Sequence, residues 1–175
     1  GHATIKTHAE TRNALTTDPL TGIKVVATTT ATTVNTYRLL TSQSGKFKLL
    51  FTAGKGETNK DCYLTLYNAS AGTHGPYLIF NASGNVEYHN GTTATTLQAY
   101  TANTVYKFEL TIDITAHTFN ISINGVSKGT GLAFYNATMG SLDAIRIHKP
   151  ASQDFTFYLD KLRIQKYVSP EPAVS

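Results

Sequence analysis

The chain has 175 residues, 15 Lys and Arg against 11 Asp and Glu, a formal net charge of +4 and only 15% charged residues. That length favours one domain with room for a core. The positive charges are scattered, and the densest group, Lys161, Arg163 and Lys166, alternates along a predicted strand, so the contiguous basic stripe with interleaved aromatics that nucleic acid needs is missing.

Residues 1–22 are polar and weakly patterned; "IKTHAETRNAL" comes nearest to a helical period. Strands are then predicted over Ile23–Thr30, Thr36–Thr41, Lys46–Thr52, Cys62–Tyr67, Tyr77–Phe80, Asn85–His89, Thr95–Ala99, Val105–Asp113, Thr118–Ile123, Leu142–His148 and Phe155–Lys166. The clearest is Val105–Asp113, where Tyr106, Phe108, Leu110 and Ile112 alternate with Lys107, Glu109, Thr111 and Asp113. Period two is the mark of a strand with one buried face. Phe119, Ile121 and Ile123 resume the pattern, and "NG" at Asn124-Gly125 marks a tight turn, because both residues tolerate positive φ. Clusters such as "SGK", "ASAGTHGP", "ASGN" and "KPASQD" separate the strands. About eleven short strands predict an all-β fold, a two-sheet antiparallel β-sandwich or jelly roll. The predicted domain is 1–168, with "GH" at 1–2 read as a tag scar and "SPEPAVS" (169–175) as the start of a Pro-rich linker to further domains of a parent protein.

The phrase aromatic-Asn-Ala-Ser/Thr followed by Gly recurs in "YNASAG", "FNASGN" and "YNATMG" and reads as reused turn chemistry. Cys62 is the single cysteine, which excludes an intrachain disulfide and a thiolate metal site. No run of 18 apolar residues is present, so no membrane span is predicted. The histidines lack H-x-H or H-E-x-x-H spacing, which argues against zinc. Glycoside hydrolysis needs two carboxyl groups about 5 to 9.5 Å apart. No E-x-D occurs, and Glu109 and Asp113 stand about 13 Å apart along one strand.

Strand parity supplies the candidate binding residues. With Leu64 and Leu66 inward, Tyr63 and Tyr67 face out; Glu87 and His89 oppose Val86 and Tyr88; Arg38 opposes Tyr37 and Leu39; Arg146 and His148 alternate with Ile145 and Ile147. Sugars offer an apolar face to aromatic rings and a hydroxyl rim to charged and amide groups. The absence of Trp points away from a flat platform and toward a pocket or groove. The spacing of Arg146 and His148 suits a carboxylate and an ordinary exposed strand equally well. Asp160 shares parity with Tyr158, Leu162 and Ile164 but not with Phe155, Phe157 and Leu159, so either both faces are covered or a bulge shifts the register.

Three stretches carry a family resemblance: "GPYLIFNASGNVEYHNG", "YTANTVYKFELTIDITAHTFNISINGV" and "SLDAIRIHKPASQDFTFYLDKLRI". They resemble the concanavalin A-like, laminin-G-like jelly roll over residues 63–166. The resemblance implies a non-catalytic carbohydrate-binding module of a secreted or cell-surface protein, with a polysaccharide or oligosaccharide as partner beside neighbouring domains. It leaves two alternatives, a structural or adhesive module and a jelly-roll polysaccharide lyase using Tyr or His with Arg. It also implies structural calcium at Asp160, with Asp18 or Glu10 contributing.

Overall fold

The computed structural model describes residues 33–168 and the backbone of three further strands, β1 (Ile5–Thr7), β2 (Asn13–Asp18) and β3 (Gly22–Ala27). The expected tag scar, the expected linker at 169–175 and Glu10 lie outside the described residues, as does the end of the strand expected over Ile23–Thr30. Eleven more strands follow: β4 (Val34–Gln43), β5 (Lys46–Lys55), β6 (Cys62–Asn68), β7 (Thr73–Phe80), β8 (Asn85–His89), β9 (Ala94–Ala99), β10 (Thr104–Asp113), β11 (Thr118–Ile123), β12 (Val126–Ala133), β13 (Leu142–Lys149) and β14 (Phe155–Lys166). They form two antiparallel seven-stranded sheets, the first in the order β1-β4-β13-β6-β7-β8-β9 and the second β12-β11-β10-β5-β14-β3-β2. The chain is the predicted two-sheet jelly roll.

The alternation read from the sequence builds the core. Phe47, Leu49, Phe51 and Ala53 of β5 face inward beside Phe108, Leu110 and Ile112 of β10. Leu64 and Leu66 of β6, Leu78 and Phe80 of β7, and Ile145 and Ile147 of β13 meet them from the first sheet. Phe51 stacks on Phe108 at 5.1 Å, and Phe80 meets Phe157 edge-on at 5.2 Å. Each such ring buries enough apolar surface to stabilise the fold by about 1.5–3 kcal/mol.

Two elements depart from the expectation. β12 was not predicted, because its edge sequence "VSKGTGLA" has no apolar alternation and only a half-buried Leu132 to mark a face. Its register against β11 is also irregular around Ile121. In β14 the parity conflict is a bulge. Asp160 pairs with Thr52 but Arg163 pairs with Leu50, so one extra residue is accommodated where Lys161 adopts φ 54°. Phe155, Phe157 and Leu159 point inward before the bulge, and Ile164 does so after it, opposite buried Leu49.

The recurrent Asn phrase is turn chemistry. Asn68 Oδ1 accepts from Ala71 N at 2.8 Å, and Asn81 Oδ1 accepts from Ser83 N at 3.0 Å and Asn85 N at 2.8 Å. The third copy acts across the fold, since Asn136 Oδ1 accepts from His74 N at 2.8 Å. With Tyr135 N donating to Gly75 O at 3.1 Å, this seats the loop after β12 on the start of β7.

Candidate functional site

The outer face of the first sheet carries a continuous aromatic and basic patch. Cross-strand register sets its rows. Asn35, His148 and Tyr63 stand side by side on β4, β13 and β6, with Ile79 of β7 next in line. One row along, Tyr37, Arg146, Thr65 and Tyr77 are neighbours. Thr65 and Ala144 are small and fully buried, which leaves room above them for the larger groups.

Arg146 is the hub. Its Nε and Nη2 donate to Asn35 Oδ1 at 2.9 and 2.7 Å, and its Nη1 lies 3.2 Å from Nε2 of His74. Its guanidinium stands over the Tyr67 ring at 5.5 Å. A guanidinium only donates, so His74 Nε2 accepts, and the ring hydrogen sits on Nδ1, 3.3 Å from Thr65 Oγ1. Nδ1 of His148 lies 2.9 Å from Nη2 of Arg146 and 2.7 Å from Asn35 Oδ1. It accepts from the first or donates to the second, not both. Among the described residues, every partner of Arg146 is uncharged.

Aromatic rings surround this hub. Tyr63 stacks on His148 at 5.3 Å, Tyr37 meets Tyr67 at 5.7 Å, and Tyr67 meets His74 at 4.8 Å. Tyr135, brought in by the Asn136 turn, stacks on Tyr77 at 4.8 Å and lies 5.2 Å from His89. The patch is a set of half-buried rings with a fixed positive charge in its centre.

Burial first, and the Arg146 charge second, push both His74 and His148 down to about 4. Burial also raises the phenols of Tyr37, Tyr63 and Tyr77, the last to about 12. At neutral pH both rings are therefore uncharged and these phenols keep their protons. The sign for stability follows: an imidazole whose folded value lies below its unfolded 6.5 contributes stability present above pH 6.5 and lost as pH falls through 4. The urea unfolding midpoint is expected to drop between pH 6.5 and 4, and the drop is expected to be smaller in the double variant His74→Gln/His148→Gln.

Of the residues singled out from the sequence, Tyr63, Tyr67, His89, Arg146 and His148 come together here. Glu87 lies on the same face in β8, beyond the patch, accepting from Thr96 Oγ1 at 3.3 Å. Arg38 does not join them. It pairs with Ile145, a core residue, so its side chain leaves β4 on the side opposite Tyr37, and its Nε is buried without a hydrogen-bond partner among the described residues. The outward face of β4 carries Tyr37 and Leu39, the latter 44% exposed, one residue out of phase with the expected parity. Asp160 does not face an apolar layer either: ahead of the bulge it alternates with inward Phe157 and Leu159 and so stands beside Thr52 on the outside of the second sheet, and the bulge after it is what turns Ile164 inward. Among the described residues no three His, Cys, Asp or Glu converge at Asp160, and the expected calcium partners, the Asp18 side chain and Glu10, lie outside those residues.

Sequence reading missed Asn35, Tyr37, Thr65, His74, Tyr77 and Tyr135. Tyr77 had a signal, since Leu78 and Phe80 inward place it outward. His74 was hidden in a stretch read as turn, because β7 begins at Thr73, four residues before the predicted strand.

The model of the family described as "Sialidase-like, CBM domain" matches residues 34–148, which span β4 to β13 and so every residue of the patch. Among solved structures, the chain is similar to a "Sialidase" (TM-score 0.71, 12% identity), covering 82% of this chain and 15% of that one. It is similar to the carbohydrate binding module CBM66 from Bacillus subtilis (TM-score 0.60, 9% identity), covering 93% and 95%. It is also similar to the alginate lyase from Corynebacterium sp. (TM-score 0.57, 12% identity), covering 77% and 68%. At these identities the likeness is one of fold, and the chain spans about 15% of the length of the sialidase. No curated protein matches the chain.

Proposed function

Because the chain belongs to the Sialidase-like, CBM domain family, we propose that its carbohydrate-binding site is the outer face of the first sheet and that the ligand is an acidic sugar. The observation that carries this is Arg146, a cation held by Asn35 and flanked by two neutral imidazoles, with no carboxylate against it among the described residues. A sugar carboxylate completes its charge as a forked, charge-assisted pair. Tyr63, Tyr67, Tyr77 and Tyr135 offer ring faces to the C–H side of the sugar, and the amide and imidazole groups meet its hydroxyls.

The role is non-catalytic binding outside the cell, holding a neighbouring domain of a parent protein near a polysaccharide and raising its effective substrate concentration. What supports this over catalysis is the protonation of the site. A general base works best with a pKa near the operating pH. Here the imidazoles are pushed down to about 4 and the nearby phenols upward. The lyase reading is favoured by the juxtaposition of Arg, His and Tyr on one face and by the shared fold with an alginate lyase.

Titration of the chain against polyuronates, sialylated glycans and their neutral counterparts separates these readings. Saturable binding to one acidic class, without ultraviolet-absorbing unsaturated products, is expected. Release of such products makes the protein a lyase. Binding to no glycan moves the reading to a structural or adhesive module.

A further inference from the structure

The opposite face of the molecule carries a second feature. The outside of the second sheet bears a groove of 330 Å³ lined by Leu50, Phe51, Thr52, Lys107, Lys161 and Arg163. The β14 bulge shapes it, because the extra residue at Lys161 turns Arg163 outward to pair with Leu50, while Lys107 pairs with Thr52 from β10. Lys107 and Arg163 therefore stand on strands either side of β5, with backbones about 12 Å apart by strand spacing and offset. Two such side chains reach a common oxyanion between them.

None of the three cations is held in an ion pair among the described residues, although Asp160 stands across Thr52 from Lys107 and Glu109 across Leu50 from Arg163. Lys107, Lys161 and Arg163 are exposed, and none has a side-chain hydrogen bond or ion pair among the described residues. Glu109, the carboxylate nearest in register, pairs with Lys48 at 3.5 Å. Asp160 stands in the Thr52 row but lines no part of the groove. The half-buried Leu50 gives the groove an apolar floor.

We propose that this groove is a second binding site, independent of the Arg146 face, taking a sulfate or carboxylate group of an acidic polysaccharide. The three cations hold the oxyanion, and Leu50 packs against the C–H face of the sugar bearing it. The volume suits one or two sugar rings. Nucleic acid is the poorer fit, because single-strand binding relies on exposed aromatic platforms, and the one ring lining the groove, Phe51, is buried in the core.

The test is an amide-resonance titration of the full chain with dextran sulfate, polygalacturonate, neutral dextran and a single-stranded oligonucleotide. Leu50, Thr52, Lys107 and Arg163 amides are expected to shift with one of the acidic polymers and not with dextran; which polymer acts assigns the group as sulfate or carboxylate. The shifts persist in Arg146→Gln, which separates this site from the first one. In the Arg146→Gln background, adding Lys107→Gln/Lys161→Asn/Arg163→Gln lowers the remaining affinity at least tenfold with an unchanged thermal melt; Asn at 161 suits the left-handed backbone there. The proposal is overturned if those amides stay still with both acidic polymers, if the three added substitutions leave the remaining affinity unchanged, or if the oligonucleotide binds more tightly than either.

Discussion

At the Arg146 face, Arg146→Gln is expected to abolish the preference for an acidic over a neutral oligosaccharide, lowering that face's affinity for the acidic ligand about 10- to 100-fold. The estimate follows from the worth of a charge-assisted hydrogen-bonded pair, roughly 1.5–3 kcal/mol, at about 1.4 kcal/mol per decade. Arg146→Lys keeps the charge but loses the planar fork that Asn35 orients, so it falls between the two. A binding isotherm for each variant checks this. The same change has a second readout. Removing the guanidinium takes away the second cause that depresses His74 and His148, so both titrate above about 4 while burial still holds them below 6.5. Ring-proton shifts against pH read this without any ligand. Equal affinity in wild type and Arg146→Gln removes the carboxylate from the account.

Lys55→Met is expected to destabilise the fold by about 3 kcal/mol, or about 10 °C in melting temperature for a chain of this size. Lys55 is fully buried, at 0% exposure, at the end of β5. Its ammonium donates to the backbone carbonyls of Glu57 at 3.1 Å and Lys60, lies 3.5 Å from the Tyr100 hydroxyl, and faces the Phe155 ring at 5.7 Å. The Tyr100 hydroxyl lies 3.0 Å from Glu57 O and 3.1 Å from Asn81 O, and its single proton bridges between these two carbonyls. One cation therefore satisfies the loop between β5 and β6 and ties it to the turn between β7 and β8. Burial pulls its pKa down from 10.5, and burial pushes the neighbouring Cys62 thiol up, so that neighbour stays neutral. Met fills much of the volume but leaves the carbonyls without a donor, each costing about 1–3 kcal/mol. Urea unfolding with an unchanged slope and a lower midpoint is the expected result. An unchanged midpoint means that water satisfies the loop as well as the ammonium does.

The sheets were legible in the sequence wherever one face is apolar and the other wet. β10 and β11 are the clearest case, since Phe108, Leu110, Ile112, Phe119, Ile121 and Ile123 are all buried as their spacing requires. β12 lacked that contrast because an edge strand buries little on either face. β4 misled for the opposite reason. Its outward face carries Tyr37 and Leu39, which a binding surface needs and an alternation rule assigns to the core. His74 and Tyr135 depend on Asn136 reaching across from a distant loop, a long-range contact that local pattern does not encode. Asp160 shows the limit of parity itself, since one inserted residue reverses every later side chain.

Amide-resonance mapping of a bound uronate oligosaccharide shows whether an acidic sugar sits on Arg146. The largest shifts are expected at the Asn35, Thr65, Tyr67, His74, Arg146 and His148 positions, and those shifts are lost in Arg146→Gln. Shifts that leave these residues untouched, with the oligosaccharide bound elsewhere, contradict an acidic sugar on Arg146.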